Sequence, residues 1–284
     1  MNTIIFIIFL GFIQGVTEFL PISSSGHLAL MENLPFFHQY SAEISREFSF
    51  TAFNVILHLG TLSAVIIFWK KDLLEILFQI LEDLKKGNFN GKGIKKILII
   101  SISLIPVLLI PFIKEHIEYT IHSLKWVAGF FILNGTLLIV SHQLPKAYRK
   151  KEAKTHFLEL SNKSALMIGI FQAIAVLPGI SRSGSTITAG LISGLNGKES
   201  VRYSFIISIP VLLAAAIFES MEIGRSETGN QPFHWDWLLV GFLSSFTSGY
   251  LSLKALVWIG KKTMFYPFGV YTILLGCLII FFFL

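Results

Sequence analysis

The sequence predicts an all-α polytopic membrane protein: six transmembrane helices plus two re-entrant helical hairpins arranged as an inverted-topology repeat. Three observations carry that expectation. Hydrophobic residues make up 53% of the 284 and charged residues 14%, with a mean hydropathy of +0.69, too apolar for a soluble chain of this length. A polar motif occurs twice, 158 positions apart, so that Gly11, Gln14, Ile22, Ser23, Ser25 and Gly26 match Gly169, Gln172, Ile180, Ser181, Ser183 and Gly184 without a gap. Lysine and arginine gather in alternate loops, as they do between membrane spans.

Taken in order, the first apolar run, Ile4 to Leu10, has no basic residue before it and leads straight into Gln14 and Glu18. A cleaved signal peptide would look different, so the N-terminus is expected to stay. The first motif, residues 11–27, is apolar but broken by Pro21 and the serines 23–25. Spans follow at about 51–69, 95–113 and 126–141, near the roughly 17–25 residues a bilayer requires; the 126–141 span is the shortest. The second motif, residues 169–186, precedes spans at about 201–218, 237–256 and 264–284. The chain is therefore expected to be one integral membrane domain, 1–284, with a first repeat over 1–141 and a second over 163–284.

Orientation follows from the basic residues. Segments 70–96, 142–163 and 254–263 hold sixteen Lys and Arg, whereas 32–50, 114–125 and 219–236 hold four, namely Arg46, Lys114, Lys125 and Arg225. Both termini should face outside. The first hairpin then enters from the outer side and the second from the cytoplasmic side, so they meet near mid-depth. Non-helical backbone is tolerated there only if it is buried in protein or lines a wet cavity. The net charge of +6 is explained by these loops and calls for no nucleic acid. Cys277 is the one cysteine, which excludes an internal disulfide and a cysteine-based metal cluster.

The motifs carry the chemistry. Gln14 and Glu18 are spaced i, i+4 and share a helix face. A carboxylate at membrane depth costs about 2.5–3.5 kcal/mol on insertion scales and needs a partner, so Glu18 reads as a divalent-metal ligand or general base; a solvated carboxylate on a frayed segment is the plainer alternative. The run 21–27 breaks a helix and restarts it with serines at the N-cap, leaving amides that attract an anion. His27 follows as a proton carrier or nucleophile. The run 178–186 repeats the break and adds Arg182, whose planar fork suits phosphate, against the alternative of an arginine reaching back to the interface. Asn54 and His58, also i, i+4, read as interhelical hydrogen bonders that could support the pocket. Glu199 and Arg202 read as a salt bridge at a helix start.

Residues 14–27, Gln-Gly-Val-Thr-Glu-Phe-Leu-Pro-Ile-Ser-Ser-Ser-Gly-His, and 177–186, Leu-Pro-Gly-Ile-Ser-Arg-Ser-Gly-Ser-Thr, resemble the two signatures of the undecaprenyl-diphosphate phosphatases, the bacitracin-resistance family. The resemblance covers essentially the whole chain. It implies hydrolysis of undecaprenyl diphosphate to the monophosphate carrier lipid used in peptidoglycan synthesis, with a divalent cation, Mg²⁺ or Ca²⁺. It also implies a place in the bacterial cytoplasmic (inner) membrane, with the active site open to the periplasmic or extracellular side. By motif match Glu18, Ser24, His27 and Arg182 are the functional positions. Gln14 stands where many members have Glu, which shifts the weight of metal binding from Gln14 to Glu18.

On this reading Glu18, with Gln14 or water, holds the metal, and Arg182 clamps the diphosphate. Ser23, Ser25, Gly26, Ser181, Ser183, Gly184, Ser185 and Thr186 cradle the terminal phosphoryl group, since such catalysis is mostly positioning and electrostatics. His27, Ser24 and water remain alternative nucleophiles. The expected partners are the lipid substrate and membrane lipids, and a homodimer is compatible with the sequence. A secondary transporter is the rival reading, because broken helices meeting at mid-membrane also build transporters. The acid-phosphatase type of lipid phosphatase is rejected: no Arg-Pro occurs, and Thr188 stands where its second histidine should be.

Overall fold

The structure, a computed structural model, describes residues 3–34, 37, 50–112, 123–143, 156–225 and 235–283. Arg46, Lys114 and most of the basic residues of 142–163 lie outside them. Every regular element among the described residues is a helix, with no strand among them. The elements are α1 Thr3–Phe19, α2 Ser24–Glu32, α3 Phe50–Phe68, α4 Lys70–Lys85, α5 Lys92–Leu104, α6 Leu124–Gln143, α7 Asn162–Ile174, α8 Arg182–Ile192, α9 Gly197–Arg225, α10 Trp235–Lys262 and α11 Tyr266–Phe283.

Both predicted breaks are present, and local chemistry makes them. Pro21 follows the end of α1, lacking an N–H and disfavouring helix for the residue before it. Ser23 takes φ 70° and ψ 103°, and its hydroxyl accepts from Gly26 N at 3.3 Å to start α2. In the second half the chain turns at Gly179 with φ 104°, a value that favours glycine. Ser181 then caps α8, accepting from Gly184 N at 3.1 Å.

Among the described residues four helices are long and apolar enough to cross a membrane: Lys92–Phe112, Leu124–Gln143, Gly197–Met221 and Tyr266–Phe283. A fifth arises if α3 and α4 count as one span, although they are bent by 68°. The segment expected to be shortest, 126–141, is thus a full-length helix. The first of these runs through a 3₁₀ turn, Ile105–Leu109, because Pro106 interrupts the α-helical bonding there. The 237–256 segment is helical as expected, within α10, but falls short of the hydropathy of a span. Ser244, Ser245, Ser248 and Ser252 dilute it.

Those serines have a packing role. Between helices in lipid there is little hydrophobic drive, so close approach and hydrogen bonds hold them together. α10 lies along α1 and α3, where Gly11 and Gly15 let the backbones approach: a Cβ at Gly15 would stand 2.0 Å from Ser248 Oγ and 2.6 Å from Ser245 O. Ser244 Oγ donates to Ile8 O at 2.7 Å across this seam. In the other half α7 packs on α5 and its 3₁₀ extension, while α3 meets α9 and α6 meets α11. A central apolar cluster, including Phe19, Leu138, Ile187 and Phe205, joins the halves. Outward faces are apolar too, with Phe12, Leu108, Leu251 and Phe281 exposed, as lipid contact allows.

At the other end of the spans, α4 is an amphipathic helix where the sequence suggested only a basic loop. It is anchored by charge: Lys96 Nζ, buried, bonds Glu75 at 2.9 Å, and Arg202 reaches Asp72 at 2.6 Å and Glu199 at 3.3 Å. Glu199 also accepts from Phe157 N at 3.1 Å.

Candidate active site

Glu18 closes the last turn of α1 and is buried, at 8% exposure. Its two oxygens gather donors from both broken hairpins. Arg182 Nη2 donates to Oε1 at 2.8 Å, while Ser24 Oγ donates to Oε2 at 2.7 Å and Gln14 Nε2 to the same atom at 3.2 Å. Arg182 opens α8, where a cation opposes the helix dipole; capping does not explain it, whereas the buried Glu18 carboxylate does. Of the acid, imidazole and guanidinium expected to converge, the acid and the guanidinium, 164 positions apart, are in direct contact.

The pair leaves polar capacity unused. Arg182 Nη1 and Gln14 Oε1 are buried without a hydrogen-bond partner. Such groups cost about 1–3 kcal/mol each when unsatisfied, so a bound polar ligand or water has a reason to sit there. His58 Nδ1 on α3 donates to Asn54 O at 2.8 Å, within its own helix.

The two breaks are locked to each other. Ser23 Oγ accepts from Gly179 N at 3.1 Å, and Ser183 Oγ donates to Leu20 O at 3.3 Å. Asn134 on α6 bridges them, donating to Pro21 O at 3.1 Å and accepting from Ser181 N at 3.0 Å. Gly26 and Gly184 are points of close approach: a Cβ at Gly26 would meet Phe131 at 2.6 Å and Gly179 at 2.9 Å, and one at Gly184 would meet Pro21 at 3.2 Å.

The hydroxyls expected to cradle phosphate therefore have varied partners. Ser23, Ser181 and Ser183 hold the seam, Ser25 bonds Ser23 at 3.3 Å, and Thr186 bonds Arg182 O and Ser204. Ser185 Oγ is buried and unpartnered.

His27 belongs to the same break, and both of its ring nitrogens are engaged. Nδ1 lies 2.7 Å from Ser23 O and Nε2 lies 2.7 Å from the Tyr271 hydroxyl, with Phe131 edge-on at 5.2 Å. Neither Asn134 nor Tyr271 was singled out from the sequence. Asn134 is detectable in principle, as the one amide in an apolar span, whereas nothing local distinguishes Tyr271.

Among the described residues no group of three His, Cys, Asp or Glu could hold a metal ion. The available donors are one carboxylate, Glu18, and one amide oxygen, Gln14 Oε1. That set suits a hard cation that keeps waters and shares phosphate oxygens, as Mg²⁺ does, rather than an all-protein cage.

Helices apolar enough to cross a membrane, joined at two interlocked polar breaks with an acid–guanidinium pair between them, define a multi-pass membrane protein with a buried polar site. The chain belongs to the bacitracin resistance protein BacA family, whose model matches residues 7–278. It is similar to the undecaprenyl-diphosphatase of Thermosipho africanus, at 38% identity over 279 residues, 96% of this chain and 98% of that protein. The undecaprenyl-diphosphatases of Methanococcus aeolicus, 34% identical over 99% of this chain and 98% of the relative, and Halothermothrix orenii, 34% over 96% of each, are similar as well.

Proposed function

We infer that this protein hydrolyses undecaprenyl diphosphate to undecaprenyl phosphate and inorganic phosphate, recycling the carrier lipid for cell-wall synthesis and conferring resistance to bacitracin. Family membership over nearly the whole chain supports the activity. The observation that carries the mechanism is the buried Glu18 carboxylate, shared by Arg182 from one hairpin and Ser24 from the other.

The roles follow from that arrangement. An incoming diphosphate takes the unused Nη1 of Arg182 and competes with Glu18 for the rest of the fork, which binds phosphate oxygens in parallel. Ser24 Oγ is the nucleophile: it bonds to the terminal phosphorus, the bond from phosphorus to the bridging oxygen breaks, and the serine proton passes to Glu18. Undecaprenyl phosphate leaves. Water then attacks the phosphoserine while His27 takes the water's proton; the phosphorus–Oγ bond breaks, Glu18 returns its proton to Ser24 Oγ, and inorganic phosphate departs. A divalent cation, Mg²⁺ or Ca²⁺, held through Glu18 and Gln14, would supply charge neutralisation on the phosphate oxygens.

Helix packing supports the inverted repeat. The first helix of each hairpin packs on the second span of the opposite half, α1 on α10 and α7 on α5, while first spans pair as α3 with α9 and third spans as α6 with α11. Together with the loop charges, this favours an active site open to the outer face of the bacterial cytoplasmic membrane.

The test is phosphate release from a polyprenyl diphosphate by purified protein, with and without chelator, followed by trapping with labelled substrate. An acid-stable label that disappears in Ser24→Ala is expected. Acid-labile label lost in His27→Ala would transfer the nucleophile's role to His27, and flux into sealed liposomes without phosphate release would make the protein a transporter.

A further inference from the structure

We propose that Tyr271 is the positioning residue for His27, fixing Nε2 as the nitrogen that accepts the water proton. Two hydrogen bonds define the imidazole. A carbonyl oxygen only accepts, so the 2.7 Å contact with Ser23 O places a proton on Nδ1. The neutral ring then carries its lone pair on Nε2, and the Tyr271 hydroxyl, 2.7 Å away, is the donor to it.

One bond to a backbone oxygen four residues back would leave the ring free to swing about that contact. The second bond, at the opposite end of the imidazole, removes this freedom. The planes of His27 and Tyr271 lie within 6° of parallel, with centroids 5.8 Å apart, and Phe131 meets His27 edge-on. His27 is 8% exposed and Tyr271 43%, so a buried imidazole is bonded to a partly exposed tyrosine. It arrives from α11, 244 positions along the chain.

A hydroxyl can donate and accept, which suits both states of the base. During transfer a water takes the hydroxyl's place on the lone pair. Once Nε2 holds the water's proton, the Tyr271 hydroxyl returns as acceptor of the new N–H, keeping its own proton throughout. The role assigned to Tyr271 rests on the reading of His27 as the base.

Tyr271→Phe tests it, because the ring and its packing remain while the hydroxyl goes. With a polyprenyl diphosphate as substrate, kcat should fall about tenfold, part of what general-base catalysis supplies, while KM stays within about twofold. The ¹⁵N spectrum of the side-chain imidazoles, with the His27 signals assigned by their loss in His27→Ala, should show protonated Nδ1 and hydrogen-bonded Nε2 in the native protein. In Tyr271→Phe the Nε2 signal should move toward the unbonded position. An unchanged kcat, a loss confined to KM, or an unmoved Nε2 signal overturns the role of Tyr271. His27→Ala at full rate instead overturns the reading of His27 as base, whereas a dead His27→Ala beside a fully active Tyr271→Phe overturns the role of Tyr271 alone.

Discussion

Arg182 shows why the choice of substitution matters at this site. Its Nη2 bonds the buried Glu18 carboxylate at 2.8 Å while Nη1 has no partner. Replacement by alanine would leave a buried charge uncompensated, a loss of about 3–5 kcal/mol that confounds folding with chemistry. Arg182→Lys keeps a cation near Glu18 but loses the fork. We expect near-native thermal unfolding and roughly a hundredfold or greater drop in phosphate release, the scale of removing one preorganised donor; native turnover would take Arg182 out of the reaction.

The helices raise a different question, because their stability rests on close approach. Gly11 and Gly15 are one turn apart on α1 and face Ser244, Ser245 and Ser248 of α10. At Gly15 two of the atoms a new Cβ would strike belong to the backbone of α10, so no rotamer change relieves the contact. Gly15→Leu should separate α1 from α10 and cost about 1–3 kcal/mol or more, read as a lower unfolding temperature in detergent. Because α1 carries Gln14 and Glu18, activity should fall with it. Gly129→Leu, at a position where an added Cβ meets nothing within 4 Å, is the matched control and should unfold as the native protein does.

Across the molecule, two devices tie the halves together. Asn134 joins the breaks, and Asn134→Ala would leave Pro21 O and Ser181 N unpaired, at about 1–3 kcal/mol for each buried group. Both stability and turnover should drop, and a native unfolding temperature would show that the bridge is dispensable. At the other end, Asp72 of α4 binds Arg202 of the second half, beside the Glu75–Lys96 pair that anchors α4 within the first. The hydrogen bond from Lys96, then its charge, holds the Glu75 carboxyl below its ordinary value of 4.5. A carboxyl lowered in the folded state stabilises fully above its unfolded value and loses that contribution as pH falls through the folded one. Stability should therefore decline below about pH 4.5, and Glu75→Gln should flatten that decline in acid unfolding curves.

The amino-acid sequence by itself determined that this is an apolar helical chain with two matched polar breaks, because hydropathy, proline and serine capping are local properties. It also pointed to Glu18, His27 and Arg182 as a group, since ionisable residues in an apolar chain must find partners, while Ser24 was added only by the motif resemblance. Tertiary structure alone decided which hydroxyls hold the seam and which remain unpartnered, that Asn134 staples the breaks, and that α4 is anchored through Lys96 and Arg202. It also decided where His27 points. Those outcomes depend on contacts between residues tens to hundreds of positions apart, and a lone Tyr271 in an apolar helix carries no local mark of the imidazole it meets.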